Sequence, residues 1–142
     1  MVRVRFTEEA LSDILYRSDP TVPEDSDLNK RKTGSRYEAM AADYLTQHGV
    51  EILERNYRIR TGEIDLIGKD GSYLVFFEVK YRRNAGMGEP LLAVDYRKRQ
   101  QILFTARHYL YEHRCRADQP VRFDCVGITG GSTEWIRNAF CG

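Results

Sequence analysis

The amino-acid sequence predicts an α/β fold with a central mixed sheet of four or five strands flanked by helices. Two stretches, residues 35–48 and 95–113, carry apolar side chains at helical spacing. Four short runs rich in Ile, Leu, Val, Phe and Tyr, residues 51–59, 63–68, 73–80 and 121–128, read as strands. Their order along the chain is α-β-β-β-α-β.

Residues 1–32 read as an acidic extension and linker, and residues 33–142 as the folded domain. Residues 1–28 hold three Arg against seven Asp or Glu, a net charge of −4, which leaves +5 on the remainder. Residues 7–17 suit a small helix, and residues 18–32, with two prolines and no apolar periodicity, suit a linker. In the first core helix Ser35 is placed to cap the N-terminus and Gly49 to stop the C-terminus. The next three strands form a meander, broken at Arg60-Thr61-Gly62 and at Lys69-Asp70-Gly71-Ser72. Residues 82–90 hold two glycines and a proline and are expected to form a flexible loop that closes over substrate. Ile102, Leu103, Ala106, Tyr109 and Leu110 mark the buried face of the second helix, and residues 121–128 the fourth strand. Residues 134–140 fit either a short strand or a helical turn.

The chain has 142 residues, 42% of them hydrophobic, enough for one domain with a single core. Charged residues make up 30% and aromatics 11%, which excludes disorder as the main state. No apolar run approaches the roughly 20 residues that cross a bilayer, and the first residues lack the apolar stretch of a signal peptide. A cytoplasmic protein without a membrane partner is therefore expected. Cys115, Cys125 and Cys141 lack CxxC spacing and read as reduced thiols.

The stretch of greatest chemical interest is the pair of segments holding Glu63, Asp65, Glu78 and Lys80. With Asp70-Gly71 as a two-residue turn, cross-strand partners have numbers summing to 141, which sets Asp65 opposite Phe76 and Glu63 opposite Glu78. Strand alternation then gathers Glu63, Asp65, Glu78 and Lys80 on one face and Ile64, Leu66, Val75, Phe77 and Val79 on the other. Like charges stacked across strands repel, so the group needs a positive partner. Lys80 supplies one charge. Carboxylates without His or Cys suit a hard divalent cation, Mg²⁺ or Mn²⁺. The same acids also fit a solvent-exposed polar edge paired with nearby Arg.

Glu38 on the first helix, GEID at residues 62–65, FEVK at 77–80, RFD at 122–124 and Asn138-Ala139-Phe140 together resemble the YraN-like family of bacterial proteins. That family is similar to the PD-(D/E)xK, or restriction-endonuclease-like, nucleases, which include Holliday junction resolvases. The resemblance covers residues 33–140 and implies a restriction-endonuclease-like core. Position by position, it implies that Asp65 is the first metal-binding acid and Glu78 the second. Val79 would lend a backbone carbonyl, Lys80 is the motif lysine, and Glu38 is the helix acid of the resolvase branch. Ile64 stands where the motif's name calls for Pro.

The function implied is Mg²⁺- or Mn²⁺-dependent hydrolysis of DNA phosphodiesters on branched or single-stranded structures, with Asp65, Glu78, Lys80 and Glu38 as the catalytic set. Glu38 has a second explanation in a capping box with Ser35. Arg58, Arg60, Arg82, Arg83 and Lys98 flank the acids, several beside aromatics, as in a surface that tracks phosphates and stacks on bases. Arg122 and Asp124 share a strand face and read as a structural ion pair. His48, His108 and His113 show no ligand spacing with the acids. The rival reading is a nucleic-acid-binding or protein-interaction module on a nuclease scaffold with little activity of its own. A homodimer, the arrangement by which many small nucleases of this superfamily reach two strands, is compatible with either.

Overall fold

The computed structural model describes residues 2–5, 26–82 and 94–140. Its elements are β1 (Val2–Arg5), α1 (Ser26–Gln47), β2 (Glu51–Ile59), β3 (Gly62–Asp70), β4 (Tyr73–Arg82), α2 (Tyr96–Glu112), β5 (Val121–Thr129) and β6 (Ser132–Ile136). The strands form one six-stranded sheet in the order β1-β6-β5-β4-β3-β2. Only β4 and β5 pair in parallel, joined through α2 as a crossover; the other neighbours are antiparallel. The sheet is thus mixed, as expected, but exceeds four or five strands. Of the ambiguous tail at 134–140, residues 134–136 belong to the strand β6, turned back at Gly130-Gly131 with φ of 50° and 91°, and a turn follows with Asn138 at φ 55°. Residues 2–5, read from sequence as part of the extension, pair with β6 at the sheet edge.

The helices cover opposite faces. Tyr37, Ala41, Ala42, Tyr44 and Leu45 of α1 pack on Leu66, Val75, Phe77, Val126, Ile128 and Trp135. Ile102, Ala106 and Tyr109 of α2 pack on Tyr57, Ile67, Leu74, Phe76 and Phe123. Helix α1 begins at Ser26, nine residues before the expected cap, so Ser35 lies within the helix and the boundary placed at residue 32 falls inside it. Arg31, Lys32 and Ser35 are exposed, which is why that turn reads as linker in sequence: it has no apolar face to mark it. Gly49 does end the helix, at φ 90°, with the Val50 amide returning to the Leu45 carbonyl. Asp95 caps α2 by accepting the Lys98 amide at 2.8 Å. The helix expected at 7–17 and most of the loop at 82–90 lie outside the described residues.

RFD and Asn138-Ala139-Phe140 form a structural knot. Asp124 is fully buried and accepts from Arg122 Nε at 2.9 Å, Arg122 Nη2 at 2.8 Å, Trp135 Nε1 at 2.9 Å and the Asn138 amide at 2.8 Å. Arg122 also reaches Asp70 at 2.7 Å, tying β5 to the β3–β4 hairpin. Phe140 stacks on Phe123, with ring centroids 5.2 Å apart. The ion pair expected from sequence is therefore present and carries four donors on one carboxylate.

Candidate active site

The β3–β4 hairpin closes one residue later than the sequence suggests. Asp70 pairs with Tyr73 around Gly71-Ser72, with Gly71 at φ 60°, so partners sum to 143 rather than 141. Placing glycine first in the loop meets the demand for positive φ, which Asp70 as a loop residue does not. The ladder then runs only as far as Leu66 opposite Phe77. One step beyond it, Asp65 comes level with Glu78, not Phe76. Because each partner moves by two residues, strand parity is kept and Asp65, Glu78 and Lys80 remain together.

The alternation itself breaks at Asp65. On β2, Arg55 pairs with Leu66 and Tyr57 with Ile64, while Asn56, at φ 53°, drops out of the ladder opposite Asp65. Leu66 consequently faces α1, whereas Ile64 joins Tyr57 in the cluster under α2. This corrects the expectation that Ile64 shares a face with Leu66. Asparagine tolerates the left-handed conformation better than most residues, which explains the kink at this position. At the break, side chains from both helices reach the same carboxylate.

Three acids meet there. Carboxylate oxygens of Glu38, Glu63 and Asp65 lie within 4.8 Å of one another. Glu38 comes from α1 and hydrogen-bonds to Asn56 and to Asp65. Since Ser35 is inside α1, the capping-box explanation of Glu38 does not apply. Asp65 and Glu78 are also hydrogen-bonded to each other, and Asp65 Oδ2 accepts the Val79 amide at 2.8 Å. In a strand the N–H and C=O of one residue project to the same side, so the Val79 carbonyl also faces β3. Glu63 is held as well by Arg58 Nε at 3.0 Å, which spends part of that Arg's charge within the site.

Cations sit on the α2 side. Lys98 Nζ is 3.7 Å from Glu78 Oε1, and Lys80 is half-buried close enough for its charge to act on Glu78. Arg60 is exposed on the β2–β3 turn and Arg82 is half-buried at the end of β4. Arg83 lies outside the described residues. Helix α2 approaches the turn closely: a Cβ on Gly62 would collide with Thr105 Oγ1 and lie 2.9 Å from Gln101 Cγ. The first residue of GEID thus permits the packing that delivers Lys98.

Burial and mutual repulsion raise Glu38, Asp65 and Glu78 above the ordinary carboxylate range. Burial, then the charge of Asp65, pushes Glu78 up to about 8 against the pull of Lys98 and Lys80. Burial, then Asp65, likewise raises Glu38 to about 7, with the Asn56 hydrogen bond opposing. Asp65 is raised by burial and lowered by the Val79 amide and by Lys98. Beneath them the buried Cys125, the β5 partner of Glu78, has its thiol pushed up to about 12, mainly by burial. The group is a set of oxygen donors short of positive charge, close-set and partly desolvated, which fits a hard divalent cation.

The structure brings Glu38, Glu63, Asp65, Glu78, Val79, Lys80 and Lys98 to one place, with Arg58 at its rim. Sequence reasoning missed Asn56, which holds Glu38; the available signal was an asparagine inside an otherwise strand-like run. Among the described residues, His48, His108 and His113 are remote from the acids in their bonding. Their Nδ1 atoms engage the Tyr44 carbonyl, the Tyr57 hydroxyl and the Tyr109 carbonyl. No described helix is long and apolar enough to cross a membrane.

Residues 37–128, spanning every member of this group, match the model of the family described as Uncharacterised protein family UPF0102. A UPF0102 protein of Methylococcus capsulatus is 46% identical over 111 residues, covering 75% of this chain and 89% of the relative. One from Lachnoclostridium phytofermentans is 43% identical over 113 residues, covering 80% and 96%. One from Chromohalobacter salexigens is 44% identical over 119 residues, covering 81% and 95%. On motifs, family match and relatives together, the chain belongs to the UPF0102 family, of the YraN type.

Proposed function

We propose that this protein is a metal-dependent nuclease that hydrolyses DNA phosphodiesters. One observation carries the reading. Glu38 from one face, Asp65 and Glu78 from the sheet and Lys98 from the other face converge where the ladder ends, although the carboxylates repel one another. A fold with no use for the arrangement gains nothing from three coupled acids in a partly buried place.

Asp65, Glu78, the Val79 carbonyl and Glu38 are the groups that would hold Mg²⁺ or Mn²⁺. When bound, the cation supplies a water of lowered pKa and draws charge from the phosphate oxygens. Asp65 is oriented by the Val79 amide, whose hydrogen bond to Oδ2 favours the carboxylate form against the upward push of burial. Lys80, two residues from Glu78 on the same strand, orients the attacking water and stabilises charge on the phosphate in the transition state. Lys98 balances Glu78 in the free protein and meets phosphate when substrate arrives. Arg60 and Arg82 extend the positive rim along which a backbone runs. A resident PD-(D/E)xK chemistry also agrees with the α/β arrangement of two helices on a mixed sheet.

The test is cleavage of labelled single strands, duplex, flaps and four-way junctions with Mg²⁺ or Mn²⁺, using the full chain and Asp65→Asn purified identically. Metal-dependent cutting by the wild type alone supports the reading. Equal cutting by both assigns the activity to a contaminant. If both are inert yet bind the same DNA, the chain is a binding module on a nuclease scaffold.

A further inference from the structure

Beside the carboxylates lies an open cavity of about 590 Å³ lined by Thr61, Asp95, Arg97, Lys98, Gln101 and Phe104. We propose that it binds one unpaired nucleobase, with Phe104 stacking on its face, Gln101 bonding its edge, and Arg97 and Lys98 holding the adjoining phosphate. The proposal rests on the nuclease reading and narrows its substrate to DNA with an unpaired strand.

Phe104 is 57% exposed, an unusual setting for a phenylalanine on a helix whose neighbours Ile102, Thr105 and Ala106 are buried. Arg97, Gln101 and Phe104 follow one another at four and three residues, so they form a single stripe on the outer face of α2. Gln101 is fixed through Nε2, which donates to the Thr61 carbonyl at 3.0 Å. Among the described residues its amide oxygen and second N–H have no recorded partner and remain for a ligand's edge. Asp95 turns one carboxylate oxygen to the helix start, where Oδ1 accepts the Lys98 amide at 2.8 Å, and the two cations Arg97 and Lys98 outweigh its single negative charge.

Position links the cavity to the acids. Lys98 belongs to both, lining the cavity while its Nζ lies 3.7 Å from Glu78. A nucleotide seated here therefore delivers its phosphate toward the carboxylates. An aromatic face with flanking cations suits any base, because every base offers a π-face. A pair inside a duplex does not qualify, since both its faces are covered by its neighbours in the stack, and the last pair of a blunt end keeps its hydrogen-bonding edge occupied by its partner.

The experiment measures binding without cleavage, in chelator, by anisotropy of labelled duplexes with a blunt end or a short overhang carrying 2-aminopurine. The wild type is expected to prefer the overhang by about 5- to 100-fold, with quenching of 2-aminopurine on stacking. Phe104→Ala and Phe104→Leu should lose both the preference and the quenching, and Phe104→Tyr should restore them. Because Phe104 is exposed, these variants retain the fold. An overhang preference unchanged in Phe104→Ala overturns the proposal. So does a wild-type dimer that becomes monomeric in Phe104→Ala with binding unaltered, since a second copy then covers this face. Either result with metal-dependent cutting intact overturns the base site alone; absence of cutting on every substrate overturns the nuclease reading beneath it.

Discussion

The Asp65 carboxylate takes the Val79 amide at 2.8 Å one step beyond the last backbone pair of β3 and β4. A side chain there replaces a carbonyl as the ladder's final acceptor, so the strands separate without leaving that amide unsatisfied. The separation exposes the Val79 carbonyl side to the acids and lets Glu38 and Lys98 approach from opposite faces. Stability and the protonation of the acids are coupled at this point.

Without metal, the protein should lose stability as pH rises from about 5 to above 8. Glu38 and Glu78 bind protons more tightly in the folded state, at about 7 and about 8, than in the unfolded chain. Their contribution is complete below the unfolded value and is lost as pH passes the folded one. Thermal melts in chelator at pH 5.5, 7 and 8.5 should show a falling melting temperature. Glu78→Gln should flatten the profile and be the more stable protein at pH 8.5, by roughly 1–3 kcal/mol. A profile that is identical in the two proteins would contradict the assignment.

Mg²⁺ should stabilise the protein and displace protons from it. Ligation requires carboxylates, and two of the acids hold protons near neutrality. Calorimetric titrations at pH 7 in buffers of different ionisation enthalpy should register release of about one proton per cation. At a hundredfold excess over Kd the gain in stability is about 2.7 kcal/mol. Asp65→Asn should abolish both effects.

Gly62→Ala tests how α2 delivers Lys98. The added methyl collides with Thr105 Oγ1 and must push the helix outward. A cost of about 1–3 kcal/mol is expected. Adding Thr105→Ala should recover part of the loss by removing that contact, measured by urea denaturation. Additive effects of the two substitutions would show that the contact is not what glycine serves.

Asp124 should matter for folding and not for chemistry. Asp124→Ala leaves the half-buried Arg122 with Asp70 alone and the indole N–H of Trp135 without its acceptor, and should cost about 2–5 kcal/mol. Cleavage per folded molecule at low temperature should equal the wild type. A selective loss of rate with full stability would move Asp124 into the catalytic group.

Element types were legible because the apolar runs carry clear periods: β2 spans 51–59 as read, and α2 begins after Asp95 as expected. The start of α1 was not, because residues 26–34 have a polar composition that matches a linker and carry no apolar periodicity. The β1–β6 pairing was hidden for a different reason: four residues at the chain start gain meaning only from an edge distant in sequence. Asp65, Glu78 and Lys80 could be grouped from alternation despite a wrong register, since the slip preserved parity. Alternation failed at Ile64 because one left-handed residue on the neighbouring strand, Asn56, reverses the face. Lys98 stood out as a cation near a helix start, but its 3.7 Å approach to Glu78 depends on tertiary packing over Gly62.

The most direct measurement is the single-turnover rate of cleavage of flap and four-way-junction DNA in Mg²⁺ by wild type, Asp65→Asn, Glu78→Gln and the fold control Asp124→Asn. Metal-dependent cutting is expected of the wild type and of the folded fraction of Asp124→Asn. Rates lower by about 100-fold or more are expected in the two carboxylate variants. Equal rates in all four proteins would contradict the nuclease reading.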